Sequence, residues 1–161
     1  MTFHTIGRIV SEDRLASVMK SVAWIERAQD ADPSGGVPAF YSPVGGWSSP
    51  YPETTGYIIP TFLALAPLLD KPVLRERAIT MGDWLLKIQY SDGAFPGSVW
   101  KPGRYAERSI FNSGQILFGL VALWKATKDD RWRKAALKCA LWIVSHQDSD
   151  GAWRRYTYRN S

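Results

Sequence analysis

Residues 84–95 read Trp84-Leu-Leu-Lys-Ile-Gln89-Tyr-Ser-Asp92-Gly93-Ala-Phe95, and residues 142–153 read Trp142-Ile-Val-Ser-His-Gln147-Asp-Ser-Asp150-Gly151-Ala-Trp153. A third form, Trp24-Ile-Glu-Arg-Ala-Gln29-Asp-Ala-Asp32, keeps the same spacing from Trp to Gln. A second block repeats in step with these: Thr55-Gly56-Tyr57-Ile58-Ile59 recurs as Ser113-Gly114-Gln115-Ile116-Leu117, displaced by the same interval as Trp84 to Trp142. Self-similarity at a fixed interval of this kind marks stacked supersecondary units, each of which buries its apolar face only against its neighbours. The chain is therefore expected to be a single helical-repeat domain over 1–161, with units at about 12–53, 54–108 and 109–161.

Working outward from the repeats, residues 12–29, 72–89 and 130–147 carry apolar side chains at helical spacing. Leu74, Ala78, Met81, Leu85 and Ile88 form one such stripe, and Trp132, Ala136, Cys139 and Ile143 another. Ser11 before Glu12-Asp13, Pro72, and Asp129-Asp130 supply starting signals. Between these amphipathic segments lie two more uniformly apolar ones, about 57–69 and 110–126, and a helix that is apolar nearly all round is a buried one. Asn112 and Ser113 are candidate caps for the second of them. The expected fold class is all-α, with antiparallel helical hairpins of inner and outer helices joined by Gly/Pro-rich connections at 30–53 and 90–108. Trp24, Trp84 and Trp142 fall at equivalent outer-helix positions and are expected to pack between repeats. Gln29, Gln89 and Gln147, with Asp92 and Asp150, are expected to tie turns to helix ends, and Cys139 to be a small buried hydrophobe.

Alternating inner and outer helices joined by Gln-x-x-Asp-Gly-x-aromatic turns resemble the α/α-toroid superfamily. This includes terpenoid cyclases, prenyltransferase β subunits, and the helical toroids of polysaccharide lyases, uronyl epimerases and glycoside hydrolases. Asp92-Gly93-Ala94-Phe95 and Asp150-Gly151-Ala152-Trp153 look like the QW-type turns of the cyclases. Glu53-Thr-Thr-Gly-Tyr-Ile-Ile-Pro60 and Asn112-Ser-Gly-Gln-Ile-Leu-Phe-Gly119 look like inner-helix starts in carbohydrate-related toroids. The resemblance implies a partial α/α toroid, because the chain supplies about two and a half hairpins. It is then expected either to self-associate as a homo-oligomer or to belong to a larger toroid.

Composition narrows the classes. With 45% hydrophobic and 22% charged residues among 161, the chain is globular rather than disordered. Its longest apolar runs, 57–69 and 116–124, are shorter than a membrane span needs, and a cytoplasmic location is expected. One cysteine forbids an internal disulfide and a cysteine-based zinc cluster. His4 and His146 lack ligand partners at useful spacing, so no metal or other cofactor is expected. The net charge of +5 favours an anionic partner. No basic helix or RNP-like strand accompanies it, so nucleic acid is not the expected one. The Asp-x-Asp-Asp acid of squalene-type cyclases and the Asp-Cys-His zinc set of prenyltransferases are both missing. A cyclase-like reading thus rests on the turns alone.

Parallel inner helices would gather their N-terminal ends and preceding loops at one mouth, where helix dipoles favour anions. The approaches carry Trp47, Tyr51, Glu53 and Tyr57 in one repeat and Trp100, Arg104, Tyr105, Glu107, Arg108, Asn112 and Gln115 in the next. Aromatic faces stack on sugar rings, Arg forks onto a carboxylate, and Tyr or Glu exchanges protons. The expected function is carbohydrate-active or polysaccharide-associated, with an anionic saccharide bound at this mouth. Trp47, Trp100, Arg104, Arg108, Asn112 and Gln115 are the candidate binding residues. Glu53, Tyr57, Tyr105 and Glu107 are the candidate catalytic ones, for uronate epimerisation or elimination, or for hydrolysis by Glu53 and Glu107 as a carboxylate pair. The alternative is a non-catalytic repeat module.

Overall fold

The computed structural model describes residues 11–157; His4 lies outside them. They form an all-α fold of helical hairpins: α1 (Glu12–Asp30), α2 (Pro52–Leu68), α3 (Val73–Ile88), α4 (Ile110–Thr127) and α5 (Asp130–Ser145). A two-stranded antiparallel ribbon, β1 (Tyr41–Ser42) and β2 (Gly46–Trp47), pairs Tyr41 with Trp47 and Ser42 with Gly46 inside the first connection. Periodicity alone leaves that connection irregular, because strands this short show no alternation.

The two apolar helices make the centre. α2 packs along α4, α3 folds back on α2, and α5 folds back on α4. Ile59 and Phe62 of α2 and Ile116, Leu120 and Leu123 of α4 are fully buried, joined by Leu74, Met81 and Leu85 of α3 and by Trp132 and Cys139 of α5. Both hairpins turn through a non-glycine residue in the left-handed region, Asp70 (φ 48°) and Lys128 (φ 61°), which hold the same place in successive repeats. The helices approach closely because glycine stands at the crossing. A Cβ on Gly56 would lie 2.6 Å from Ile116 Cα, and one on Gly119 would strike the Gly56 carbonyl.

α2 begins at Pro52, ahead of the expected start near Tyr57. Pro52 supplies the φ of a first turn at a position where no N–H is needed. The apolar pattern conceals this turn because its buried positions include Thr55 and Gly56 rather than large hydrophobes. Glu53 therefore sits in the first turn of the helix. The cap of α4 also moves: Ser109, not Asn112 or Ser113, is the N-cap, its hydroxyl accepting from Asn112 N–H at 3.2 Å.

The repeated residues do equivalent jobs. Gln29 Nε2 donates to Gly35 C=O and to Arg77 C=O of the next outer helix, both at 3.1 Å. Gln89 Nε2 donates to Gly93 C=O and to Ala135 C=O, both at 3.0 Å. In the turns, Asp32, Asp92 and Asp150 each accept from the backbone N–H two residues on. Val37 N–H donates to Thr55 Oγ1 at 2.9 Å, and at the equivalent place in the next repeat Phe95 N–H donates to Ser113 Oγ at 3.0 Å. Gln29 and Gln89 thus latch both their own turn and the neighbouring unit, which is more than the turn-to-helix tie expected of them.

Trp84 and Trp142 are buried, as repeat packing requires, but Trp24 is 46% exposed. It instead meets Tyr41 and Trp47 at ring-centroid distances of 5.7 and 4.8 Å, so the ribbon rather than a helix covers it. Ion pairs from Glu26 to Lys71 and Arg77, and from Asp30 to Arg77, fix the C-terminal end of α1 to the start of α3. Cys139 is buried and its Sγ donates to Ser113 C=O at 3.3 Å. Burial without a compensating charge pushes its thiol up to about 12.

Candidate functional site: clefts between the repeat loops

Each connection runs outward from a short antiparallel bridge, Pro38 with Pro50 in the first and Pro96 with Arg108 in the second. Pro38 corresponds to Pro96 and Pro50 to Arg108 under the helix repeat, so the two loops are themselves repeats. The first bridge runs on in the same register into the β1–β2 ribbon, with Ser48 N–H donating to Phe40 C=O at 3.0 Å, but the prolines remove ladder donors at the bridge itself. The loops lie side by side, with Trp100 N–H donating to Pro50 C=O at 2.8 Å. The tail of the third copy is tied to the second by a bond of the opposite sense, from Ile110 N–H at the start of α4 to Tyr156 C=O at 2.9 Å.

Successive loops leave open clefts between them. The first, about 520 Å³, is walled by Phe40, Trp47, Ser48 and Ser49 on one side and by Ser98, Val99, Lys101 and Arg104 on the other. The second, about 360 Å³, is bounded by Gly97, Ser98 and residues 104–109, with Thr157 from the third copy. Ser98 and Arg104 belong to both, so Arg104 stands where the two clefts adjoin.

Five of the expected site residues, Trp47, Arg104, Tyr105, Glu107 and Arg108, line these clefts. Among the described residues Arg104, Lys101 and Glu107 have no side-chain hydrogen bond or ion pair. Arg108 differs. Its Nε donates to Asp92 at 2.6 Å, its Nη1 to Tyr105 Oη at 3.3 Å, and its guanidinium lies 4.7 Å from the Tyr90 ring centroid. The Asp92 carboxylate stabilises the charged form and raises the Arg108 pKa. Tyr90 stacks on Tyr105 and donates to Ala106 C=O at 2.6 Å; burial, the largest influence on it, raises its own hydroxyl pKa. Arg108 is thus a clamp that holds the Asp92 turn, the loop and the Tyr105 ring together, while Arg104 keeps its donors available.

The remaining expected residues lie elsewhere. Trp100 meets Trp84 edge-on at 6.0 Å and packs against the core, pinning its loop. Asn112 is fully buried, and its Nδ2 donates to Pro96 C=O at 3.0 Å. Glu53, Tyr57 and Gln115 are on α2 and α4 and line neither cleft. Tyr57 is an exposed helix residue, and Gln115 is its equivalent in the next repeat. Partial burial raises the Glu53 carboxyl pKa, with a hydrogen bond involving Thr54 acting the other way.

A scan against family models finds no match. Neither curated proteins nor solved structures give one. Phe40, Ser98 and Lys101 are absent from the expected set. Aligning loop 38–50 with loop 96–108 is the signal that finds them, since the cleft forms where consecutive copies of that loop face each other.

Proposed function

We propose that the chain is a helical-repeat protein of the α/α-toroid type that binds an anionic saccharide chain across the two loop clefts. The observation that supports this most is Arg104: an exposed guanidinium, unpaired among the described residues and shared by adjoining clefts, with Lys101 beside it and aromatic rings on either side. Trp47 and Phe40 offer faces for a sugar ring in the first cleft, and Tyr105 offers one in the second. Arg104 can meet a carboxylate or sulfate with two parallel N–H donors, and Lys101 adds a second positive charge.

If the site is catalytic, the chemistry it suits is proton transfer next to a uronate carboxylate. Arg104 would neutralise the carboxylate and so acidify the adjacent C–H, and Glu107 and Tyr105 would supply base and acid. Loss of the C5 proton followed by its return on the other face gives epimerisation; loss followed by departure of the C4 oxygen gives elimination. The Glu53 and Glu107 pair is a weaker basis for hydrolysis, since Glu53 lines neither cleft. The same reading expects a cytoplasmic protein, with Cys139 a buried thiol.

The test is to incubate the protein with uronate-containing polysaccharides in deuterated water and follow the sugar signals by NMR. Binding broadens the sugar lines. Deuterium at C5, unsaturated ends or new reducing ends would identify epimerase, lyase or hydrolase chemistry. Arg104→Ala should weaken binding by roughly 10-fold or more, as expected for losing a charge-assisted contact. Unchanged spectra across the panel would refute the anionic-saccharide reading for those polymers and leave the non-catalytic repeat module.

A further inference from the structure

The third copy of the repeat carries every device by which the first two grip their successors, yet among the described residues nothing takes hold of it. Gln147 Nε2 donates to Gly151 C=O at 2.8 Å and to no following helix, whereas Gln29 and Gln89 each reach one. Gly35 and Gly93 are buried against Thr80 and Lys138, while Gly151, also at positive φ, is exposed and its Cβ position meets only Gln147 at 3.9 Å. Trp153 N–H lacks the hydroxyl that accepts from the Val37 and Phe95 N–H groups. On the inner helix, Gly114 is the counterpart of Gly56, which touches Ile116, but nothing lies within 4 Å of a Cβ at Gly114.

The side chains agree with the backbone. Leu137 and Val144 of α5 are 55% and 64% exposed, whereas their counterparts on α3, Ile79 and Leu86, are partly buried against the core. Leu141, 61% exposed, stands where α3 has Asp83, which pairs with Arg131 of α5. A helix that presents apolar residues at i, i+4 and i+7 to water, beside an unfilled glycine notch, is a face built for cover.

We propose that this end face, made by α4, α5 and the Gly151 turn, is a docking surface for one further unit of the same repeat. The occupant is defined by continuity with the interface already present between units. It is an inner helix bearing Ser or Thr one turn inside its start to accept from Trp153 N–H, with a close-packing backbone opposite Gly114. The inner helix leads into an outer helix with a free backbone carbonyl for Gln147. That outer helix has an apolar residue, not Arg, facing Leu141.

The test supplies such a unit to the whole chain by placing a second copy of residues 100–157, carrying Arg131→Leu in that copy alone so that an apolar residue faces Leu141, directly after Thr157. The copied Ser113 then stands as far beyond Trp153 as the original Ser113 stands beyond Phe95. Hydrogen exchange of the Trp153 amide is read by NMR, with helix content by circular dichroism and binding of an apolar dye. The expected result is exchange at least about 100-fold slower than in the parent, added helix and lost dye binding. Ser113→Ala made only in the added copy should return the Trp153 amide to the parental rate. Exchange unchanged by the added unit, or an added unit that contributes no helix, overturns the proposal. So does a stable dimer of the unaltered chain that Leu141→Lys dissociates, because the face would then belong to a second copy.

Discussion

Gly56 and Gly114 occupy the same place in successive inner helices, the fifth residue of α2 and of α4, but among the described residues only Gly56 has a neighbour on another helix. Alanine at either position improves intrinsic helix stability by about 1 kcal/mol. At Gly56 this gain is opposed by a methyl group 2.6 Å from Ile116 Cα and 3.0 Å from Ile116 N. Backbone atoms cannot rotate aside, so α2 and α4 must separate along their whole contact. Overpacking of this kind costs about 1–3 kcal/mol and occasionally more. With backbone as the obstacle the upper part of that range applies, leaving Gly56→Ala destabilised by about 2 kcal/mol. For a chain of this length each kcal/mol moves Tm by about 2–4 °C. Gly56→Ala should thus lower Tm by roughly 4–8 °C, and Gly114→Ala should raise it by roughly 2–4 °C. Thermal and urea unfolding followed by circular dichroism measure both, with equal m values confirming that stability alone has changed. Equal shifts for the two variants would refute the claim that the inner helices meet at Gly56 and that the Gly114 face is open.

Arg108→Ala should destabilise the protein by about 1 kcal/mol through loss of its ion pair and ring contacts, measured by urea unfolding, whereas Arg104→Ala should leave the midpoint unchanged and reduce saccharide binding. Trp47→Ala should weaken binding of the same polymer while also loosening the ribbon, seen as lost near-ultraviolet dichroism from the Trp24, Tyr41 and Trp47 cluster. Cys139 should resist thiol reagents at neutral pH until the protein unfolds, because its thiolate is disfavoured by burial; rapid labelling of the folded chain would contradict its placement. Glu53 holds its proton more tightly when folded than when unfolded, where its ordinary value is 4.5. Its contribution to stability is present below that value and is lost as pH rises through the folded pKa. Glu53→Gln should therefore flatten the fall in stability across the carboxylate range and be the more stable protein at neutral pH, as urea midpoints measured from the acid range to neutrality would show.

The helices are legible in the sequence because their information is local and redundant. Trp84 to Gln89 and Trp142 to Gln147 repeat a spacing, and Leu74, Met81 and Leu85 repeat a period, so several independent signals agree. The first turn of α2 is concealed because Thr55 and Gly56 bury without being large or apolar, and their reason for burial is α4, which is distant in sequence. Trp24 misleads for a related cause. Its repeat position says core, but unit one has a ribbon in its loop, and Tyr41 and Trp47 draw the ring outward. Arg104 and Arg108 look alike in sequence, and only the position of Asp92 separates a clamp from a free guanidinium. Asn112 is recognisable as a cap-forming residue type, yet its partner, Pro96 C=O, is set by how the loop returns.

The loops and the helices repeat with one period, and this bears on where binding can occur. A cleft forms wherever one copy of the loop faces the next, so the number of clefts is fixed by the number of units stacked. The first has both walls complete. The second has Arg104, Tyr105, Glu107 and Arg108 on one wall and, among the described residues, only Thr157 on the other. A further unit seated on the open end of α4 and α5 would place a third loop opposite Tyr105 and Glu107, deepening that cleft without altering the first. Saccharide affinity that resides in the first cleft should therefore be present in the chain as it stands. Proton transfer by Tyr105 and Glu107, which needs water excluded from the second cleft, should increase when the extra unit is supplied. Comparing binding and turnover in the parent and the extended chain separates the two: a rise in turnover at unchanged affinity assigns binding to the first cleft and chemistry to the second. A parallel change in both would mean that the polymer occupies a single continuous groove.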